Sequence, residues 1–239
     1  MKKLSIPILE LSNINKKTRK ALIERLNLTV PKGDTLSVLY KNENNISLLT
    51  ELLSGKTKPE KGKIFFKSDD VTGEKNAFGV VFDSPVLSKN RTISECASSP
   101  IVKRGLARSM AVVLVQKEAK AFGLEEYIDN TIGSLPKNIA ARAEVFTAYM
   151  CSHDLIAINE PFSTLNEDER KTETELLINL KNSTKLSLLI FTKNIDTALQ
   201  FGDYIMVVND KTESTGIIAC DKGKKDKTLQ KVKELFDAV

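Results

Sequence analysis

Short apolar segments alternate with longer amphipathic segments along the whole sequence, and this alternation restricts the fold more than any other feature. Several of the short segments are apolar at every position, which is typical of strands buried on both faces. Strands that alternate with helices predict an α/β fold with a mostly parallel sheet. The predicted strands are residues 36–39, 64–66, 78–82, 155–158, 186–191 and 204–208.

Four helices are predicted where apolar residues recur at helical spacing. The first ends before Gly55, because glycine commonly follows a helix. The fourth has the clearest start, since Asn166 can cap it and acidic residues follow directly. Residues 84–140 contain no convincing core strand and are predicted to form a mainly helical insertion. The apolar stripes lie within residues 48–53, 106–114, 139–150 and 176–180.

Composition excludes several classes of protein. The 239 residues suffice for one large domain or two small ones, and no apolar run approaches the roughly 20 residues that span a bilayer. Three scattered cysteines argue against a disulfide framework and favour a reducing cytoplasm, and the lone His153 argues against multi-histidine metal sites. The net charge of +5 is too small for a dedicated nucleic-acid binder. The lysine-rich residues 222–227 suit a solvated tail or a weak attraction to anionic lipid.

Residues 36–55 follow the strand, loop and helix order in which α/β nucleotide-binding proteins keep a phosphate loop. The loop itself does not match the pattern Gly-x-x-x-x-Gly-Lys-Ser/Thr. Tyr40 and Asn45 stand at the two glycine positions, Ile46 stands at the lysine position, and Ser47 keeps the final hydroxyl. The strand before the loop and the helix after it nevertheless align with those of nucleotide-binding proteins without a gap.

Further segments continue this pattern in order along the chain. Residues 26–34 read as the strand and turn before the loop, 59–64 as a Pro-x-x-Gly-x-Ile stretch, 79–83 as a Q-loop, 155–161 as a Walker B strand, 163–166 as a D-loop and 190–194 as an H-loop strand. Over about residues 9–210, the chain therefore resembles the ATP-binding subunit of ABC transporters. Within this family, the sequence is most similar to those of the small bacterial ATPases of cell division, lipoprotein export or lipid trafficking.

The resemblance implies a single nucleotide-binding domain over residues 1–239 with a P-loop NTPase-like core. The core would comprise about residues 1–83 and 150–220, with a mostly parallel sheet and an antiparallel β portion near the N-terminus. A helical subdomain would occupy about residues 84–149. Residues 221–239 are predicted to be a basic C-terminal helix or tail.

The phosphate loop of the family works because glycines let backbone N–H groups converge on phosphate oxygens while a lysine neutralises their charge. Asn44 and Asn45 are expected to keep part of that turn, since asparagine tolerates left-handed dihedrals. Ile46 removes the positive charge. Ser47 is either a Mg²⁺ ligand or a serine at the start of the helix. No aromatic residue near positions 16–18 is present to stack on adenine.

The resemblance assigns four more positions of the nucleotide site. Asp83 replaces the Q-loop glutamine and offers a carboxylate to Mg²⁺. Asn159 replaces the Walker B aspartate and loses its charge, whereas Glu160 keeps the type and position of the general base. Glu160 is therefore either a vestigial catalytic residue or a carboxylate without a role. Lys193 replaces the H-loop histidine, and its side chain is long enough to bring its positive charge to a γ-phosphate.

The signature motif of the family, Leu-Ser-Gly-Gly-Gln, faces the ATP of the partner subunit in a head-to-tail dimer. Pro136 has no backbone N–H, and neither glycine remains. Asn138 is expected to cap a helix that begins near Ile139, and Arg142 is expected on a solvated helix face. The positions of the motif are Leu135, Pro136, Lys137, Asn138 and Ile139.

These substitutions predict weak or absent binding of ATP and Mg²⁺, and ATP hydrolysis is improbable because one lost charge stabiliser can cost about 10²–10³ in rate. The first hypothesis is a pseudo-ATPase subunit, cytoplasmic and peripheral on the inner face of the membrane. It would dock a membrane permease near residues 83–110 and form a homodimer, or a heterodimer with another ABC ATPase subunit. The second hypothesis is a divergent ATPase in which Lys41 and Lys193 replace the missing lysine. The third is an interaction scaffold outside any transporter. No nucleic-acid partner is expected.

Overall fold

A computed structural model describes residues 6–210, 212–220 and 225–238 of the chain. The strands are β1 (Pro7–Lys17), β2 (Leu22–Pro31), β3 (Thr35–Leu39), β4 (Lys61–Phe66), β5 (Asp69–Asp70), β6 (Gly79–Val81), β7 (Leu155–Asn159), β8 (Ser187–Thr192), β9 (Tyr204–Val208) and β10 (Ser214–Ala219). The helices are α1 (Glu43–Leu53), α2 (Ile93–Lys103), α3 (Arg108–Ala119), α4 (Lys137–Cys151), α5 (Glu167–Thr184), α6 (Ile195–Phe201) and α7 (Lys225–Asp237).

The strands form two sheets, as an α/β fold with an antiparallel N-terminal portion requires. The larger sheet has the order β10-β9-β3-β8-β7-β6 and is parallel except for β10, which pairs antiparallel with β9. The smaller sheet has the order β2-β1-β4-β5 and is antiparallel. Strands β3, β7 and β8 are buried at every position, which explains their mostly apolar sequences. The predicted fold class is confirmed.

Two main cores hold these layers together. One lies where α4 and α5 pack on the larger sheet, and it contains Phe146, Ile158 and Leu177. The other lies where α1 and the smaller sheet pack on the larger one, and it contains Ile14 and Leu49. Apolar side chains are buried on both faces of the larger sheet and hold its strands in place. The residues of the candidate site directly follow the ends of these strands.

Residues between β6 and β7 form α2, α3 and α4 with short 3₁₀ turns, so the mainly helical insertion predicted for residues 84–140 is confirmed. Its core includes Phe122, whose ring centroid lies 4.9 Å from that of Phe146 and 5.2 Å from that of Tyr149. Gly79 of β6 sets how closely α4 approaches the sheet. A β-carbon at Gly79 would lie 2.2 Å from the carbonyl oxygen of Ala148, so no side chain fits there.

Helix α5 begins as the sequence predicts. The Asn166 side chain accepts a hydrogen bond of 2.9 Å from the N–H of Glu169, and the Glu169 carboxylate accepts one from the N–H of Asn166. This capping box satisfies two backbone donors at the helix start. Among the described helices, none combines the length and apolar character that crossing a membrane requires.

Candidate functional site

The connection between β3 and α1 is much tighter than a phosphate loop. Only residues 40–42 separate Leu39, the last residue of β3, from Glu43, the first residue of α1. The Asn42 side chain caps the helix by accepting a 3.1 Å hydrogen bond from the N–H of Asn44. Asn44 and Asn45 therefore lie in helical turns, and the expectation that they keep a left-handed part of a phosphate turn is wrong. This cap satisfies one of the backbone donors at the start of α1.

The early start of α1 also redirects the side chains that follow. Ile46 is fully buried in the core beneath the smaller sheet, where a helix residue with an apolar side chain is stabilised. Ser47 lies in the second turn, so the expectation of a serine at the helix start is wrong. Glu43 occupies the first turn, where a carboxylate interacts favourably with the positive end of the helix.

Tyr40 occupies the centre of the site with only 2% of its surface exposed. Its hydroxyl donates to Glu160 Oε1 at 2.9 Å, with Asn159 Oδ1 as a second, weaker acceptor at 3.3 Å. Burial and the neighbouring Glu160 carboxylate both raise the pKa of Tyr40 well above that of an ordinary tyrosine. Tyr40, at the first glycine position of the phosphate-loop pattern, thus reaches from the end of β3 to the end of β7. There its hydroxyl hydrogen-bonds to the segment predicted as Walker B.

Glu160 collects three hydrogen bonds from the protein itself. Besides Tyr40, the Thr192 hydroxyl donates to Oε2 at 3.1 Å and the backbone N–H of Lys193 donates to Oε1 at 2.9 Å. Glu160 has a φ of 49°, a left-handed conformation that is uncommon for residues other than glycine. The carboxylate predicted as a general base is therefore held as an internal acceptor that joins β3, β7 and β8.

The two lysines proposed to replace the missing phosphate-loop lysine already have other contacts. The Lys193 ammonium forms an ion pair with the Glu43 carboxylate, and this hydrogen bond raises the pKa of Lys193. The Lys41 ammonium lies 5.3 Å from the centroid of the Phe236 ring on α7, within the range of a cation–π contact. Each ammonium group therefore already contacts another element, α1 in the case of Lys193 and α7 in the case of Lys41.

Asn45 has a structural role at the second glycine position. Its side-chain oxygen accepts a 2.8 Å hydrogen bond from the N–H of Leu22, and its side-chain nitrogen donates to the carbonyl oxygen of Asp210. Because Asn45 is 2% exposed, these bonds satisfy a buried amide. The residue ties α1 to the start of β2 and to the turn after β9.

The proposed Mg²⁺ ligands do not form a cluster of acidic or histidine side chains. Asp83 is exposed after β6, and its carboxylate accepts a 3.0 Å hydrogen bond from the N–H of Ser84. Within the described ranges, no group of three or more His, Cys, Asp or Glu side chains could hold a metal ion. A cavity of about 50 Å³ lies between the loop of Asp83 and Glu160, enough for ordered water.

The signature segment differs from the expectation at its helix start. Helix α4 begins at Lys137 with Pro136 as the preceding residue, and no side chain caps it. Asn138 lies inside the first turn, so its expected capping role is wrong. Pro136 has a φ of −53° and a ψ of 151°, an extended conformation that is compatible with the fixed φ of proline. Leu135 and Ile139 are half-buried and buried, whereas Pro136 and Lys137 are exposed.

Arg142 lies in an ion pair with only 12% of its side chain exposed, which overturns the expectation of a solvated position. Its Nε and Nη2 atoms donate to the two carboxylate oxygens of Glu173 at 2.8 Å and 2.6 Å, and Glu173 is completely buried. Arg142 Nη1 also donates to the carbonyl oxygen of Phe122 at 3.1 Å. Glu173 was missed from sequence, although it lies on the same helix face as Leu177 and Leu180, four and seven residues later.

Comparison with solved structures identifies the fold. One of these is a nucleotide-free ATP-binding cassette from an ABC transporter, with a TM-score of 0.78 and 19% identity. The match covers 97% of this chain and 99% of that chain. At this level of identity the match shows the fold, which is that of an ABC ATP-binding cassette. No family model matches the chain.

The homologues of the chain are ATP-binding subunits of ABC transporters. One relative is the taurine import ATP-binding protein TauB of Pseudomonas aeruginosa, 25% identical over 209 residues, with 87% of this chain and 80% of TauB covered. Another is the ABC transporter ATP-binding protein YtrE of Bacillus subtilis, 26% identical over 197 residues, with 77% and 85% covered. The predicted resemblance to this class of protein is therefore confirmed.

Proposed function

We propose that this chain is an ABC transporter ATP-binding subunit that has lost nucleotide turnover and serves as a docking and pairing subunit. It would dock a membrane permease, pair with an identical or a different ATP-binding subunit, and lie on the cytoplasmic face of the membrane. The observation that carries the proposal is the replacement of the phosphate loop by residues 40–42 and an early, capped α1. The relatives support the transporter context.

The chemistry at the start of α1 opposes the binding of a triphosphate. A phosphate group needs converging N–H groups and positive charge. Here the first turn of α1 presents the Glu43 carboxylate, and the N–H of Asn44, the second residue of the helix, is already bonded to the Asn42 side chain. An approaching phosphate would meet a like charge, and the ion pair of Lys193 with Glu43 would have to break before that lysine could help.

The chemistry at the end of β7 opposes the binding of Mg²⁺ and the activation of water. Asn159 has no charge to hold the cation, and Tyr40 hydrogen-bonds to the Asn159 and Glu160 side chains. A general base must be within hydrogen-bond reach of the water that it activates. Glu160 instead accepts three hydrogen bonds from the protein. These contacts support binding of ATP and Mg²⁺ that is weak or absent.

Calorimetry of the purified chain with Mg-ATP and with Mg-ADP tests the nucleotide part of the proposal. We expect no saturable heat at millimolar nucleotide and no phosphate release above background. Glu160→Gln separates this chain from a contaminating ATPase, because release by a contaminant is unaffected by the substitution. Saturable binding together with turnover that disappears in Glu160→Gln would establish the divergent ATPase instead.

Whether the gene beside that of this chain encodes a membrane permease is the first test of the docking part, and co-expression of the chain with that permease is the second. We expect the two to co-purify from detergent-solubilised membranes, together with any second ATP-binding subunit. If the assembly contains an intact ATPase, replacing Pro136, Lys137 and Asn138 by Ser, Gly and Gly should raise its turnover. Isolation of the chain alone, in the presence of the co-expressed permease, would favour a scaffold outside any transporter.

A further inference from the structure

Helix α3 carries apolar residues on two opposite sides, although only one of these sides is covered by the protein. Its inner face contains Ala111, Val115 and Ala119, which are completely buried. Its outer side contains Met110 and Val113, which expose 61% and 65% of their surface. A helix that is apolar in all directions is normally buried, so the outer side of α3 lacks the cover that its sequence suits.

The two exposed side chains lie close together on the helix. Met110 and Val113 are three positions apart, and residues at this spacing share one side of a helix. Single exposed apolar residues are common on protein surfaces, but neighbouring ones on one helix face mark a surface suited to an apolar partner.

Basic side chains flank this apolar pair. Lys117 lies four residues after Val113, and Lys120 lies three residues after Lys117, so both continue the outer side of α3. At the other end, Arg108 begins the helix, and all three cations are exposed. We call Met110 and Val113, together with these three basic residues, the α3 surface.

The positive charge of this region is not neutralised by the protein. Residues 102–120 contain five basic residues and one acidic residue, Glu118. Glu118 is half-buried and lies three residues after Val115, which places it towards the inner face of the helix. Across the part of the chain that the structure describes, none of these five basic residues forms an ion pair with a carboxylate.

Apolar side chains between uncompensated cations match the chemistry of an anionic membrane surface. In a helix that lies on such a surface, the apolar side chains enter the boundary between headgroups and acyl chains, and Lys and Arg pair with anionic headgroups. The long stems of Lys and Arg allow both contacts at once. A second copy of this chain would instead bring like charges together, which opposes self-association through the α3 surface.

We propose that the α3 surface binds anionic lipid directly, with Met110 and Val113 inserted at the boundary between headgroups and acyl chains. Arg108, Lys117 and Lys120 would pair with the headgroups. Because one short helix buries little apolar area, the binding would be reversible and would add to any other attachment of the chain. This inference goes beyond the docking role proposed above, since it requires lipid and no permease.

A tryptophan reporter tests the insertion, because the sequence contains no tryptophan. Met110→Trp places a single indole on the α3 surface. Ile217→Trp is the matched control, since Ile217 is an apolar residue of β10 that is 60% exposed. With vesicles of phosphatidylcholine and phosphatidylglycerol in equal parts, we expect a blue shift of the Met110→Trp emission and its quenching by brominated lipid. Vesicles of phosphatidylcholine alone, and the Ile217→Trp control, should give neither effect.

Flotation of the full chain with the same vesicles measures the two contributions separately. K117E/K120E and M110S/V113S should each lower the membrane partition coefficient by at least about tenfold. The charge-matched control K61E/K231E changes two other exposed lysines and should leave the coefficient unchanged. Because all four substituted residues of the α3 surface are exposed, circular dichroism should show an intact fold.

Three results would overturn this inference. The first is no binding to the anionic vesicles, and the second is a blue shift in Ile217→Trp as large as that in Met110→Trp. The third is binding that survives in K117E/K120E but is lost in K222E/K224E, which would assign the attraction to the lysine-rich residues 222–227. The vesicles contain no permease, so failure of the docking role would show in co-purification alone and leave these results unaffected.

Discussion

Tyr40 changes the site more than any other single residue, because a large side chain stands where the family pattern has a glycine. Its ring fills the space beside the loop, and its hydroxyl joins β3 to Glu160 and Asn159. A hydrogen bond to a charged acceptor in a buried site is stronger than a neutral one. A glycine at this position would let the backbone approach a ligand closely. Tyr40 instead forms hydrogen bonds within the protein.

Tyr40→Phe should lower the free energy of unfolding by about 1–2 kcal/mol, because it removes the hydrogen bond that the buried Tyr40 hydroxyl donates to the half-buried Glu160 carboxylate. Urea denaturation monitored by circular dichroism measures the change. Tyr127→Phe removes a hydroxyl outside this site and is the matched control. A Tyr40→Phe variant as stable as the original chain would contradict the role of this hydrogen bond.

Glu144 gives a prediction for pH dependence. Burial raises its pKa, and the N–H groups of Leu87 and Val86 offset this only in part. A raised folded-state pKa contributes stability below the ordinary glutamate pKa, about 4.3, and that stability is lost as the pH rises through the raised value. Glu144→Gln keeps an acceptor oxygen without a charge, so it should be more stable than the original chain at neutral pH.

The Glu144→Gln difference should shrink to nothing near pH 4, where the original carboxyl is protonated. Urea denaturation at several pH values between 4 and 8 measures it. Glu126→Gln, at an exposed position, is the control and should show little change at any pH. A stability difference that stays constant across this range would contradict the titration of Glu144.

At the scale of elements, helix α1 decides what the loop can do. It begins three residues before the position of the family's lysine, because Asn42 caps it and Glu43 suits its first turn. The side chain at position 46 consequently enters the core instead of a phosphate site. Restoring the residue types of the motif does not restore the loop unless the first turn of α1 unwinds.

Ile46→Lys should therefore destabilise the chain by about 3 kcal/mol or more, since it buries an uncompensated charge. Thermal and urea unfolding measure the loss, and Asn44→Lys, on the exposed side of the same helix, should cost far less. A stable Ile46→Lys variant that gains affinity for ATP would show that a phosphate loop can re-form at this position.

The sequence predicts the elements of the fold better than the details of the site. Continuously apolar strands such as β7 and the capping box of α5 were predicted because each depends on local sequence. The start of α1 was predicted too late, since a capping asparagine was interpreted through the family's loop pattern. The Arg142–Glu173 pair was missed because burial of a charged pair depends on how α4 and α5 pack, which neighbours in sequence do not reveal.

At the scale of the whole molecule, two contacts tie the smaller sheet to the larger one near the site. Asn45 bonds to Leu22 at the start of β2 and to Asp210 after β9. Arg25 of β2 forms an ion pair of 2.6 Å with Glu213, just before β10. Asn45 is 2% exposed whereas the Arg25 side chain is 74% exposed, so Asn45 contributes more to the stability of this junction.

Asn45→Ala should lower the free energy of unfolding by about 1–3 kcal/mol, because it removes two hydrogen bonds of a buried side chain and leaves the half-buried Leu22 N–H without its acceptor. Hydrogen exchange should locate the effect, with the Leu22 amide losing protection first. Asn44→Ala is the exposed control on the same helix. Unchanged exchange at Leu22 in Asn45→Ala would contradict the proposed junction.

The close approach at Gly79 makes the helical region sensitive to a single methyl group. Even Gly79→Ala would act as a wedge between β6 and the carbonyl of Ala148, and the helix would have to shift outward. Because Ala148 also lines a cavity of about 340 Å³ that extends to Phe82 and Val86, that shift would alter the width of the cavity without changing any of its charged residues. The spacing between two layers and the width of a neighbouring cavity are therefore set by the absence of one side chain.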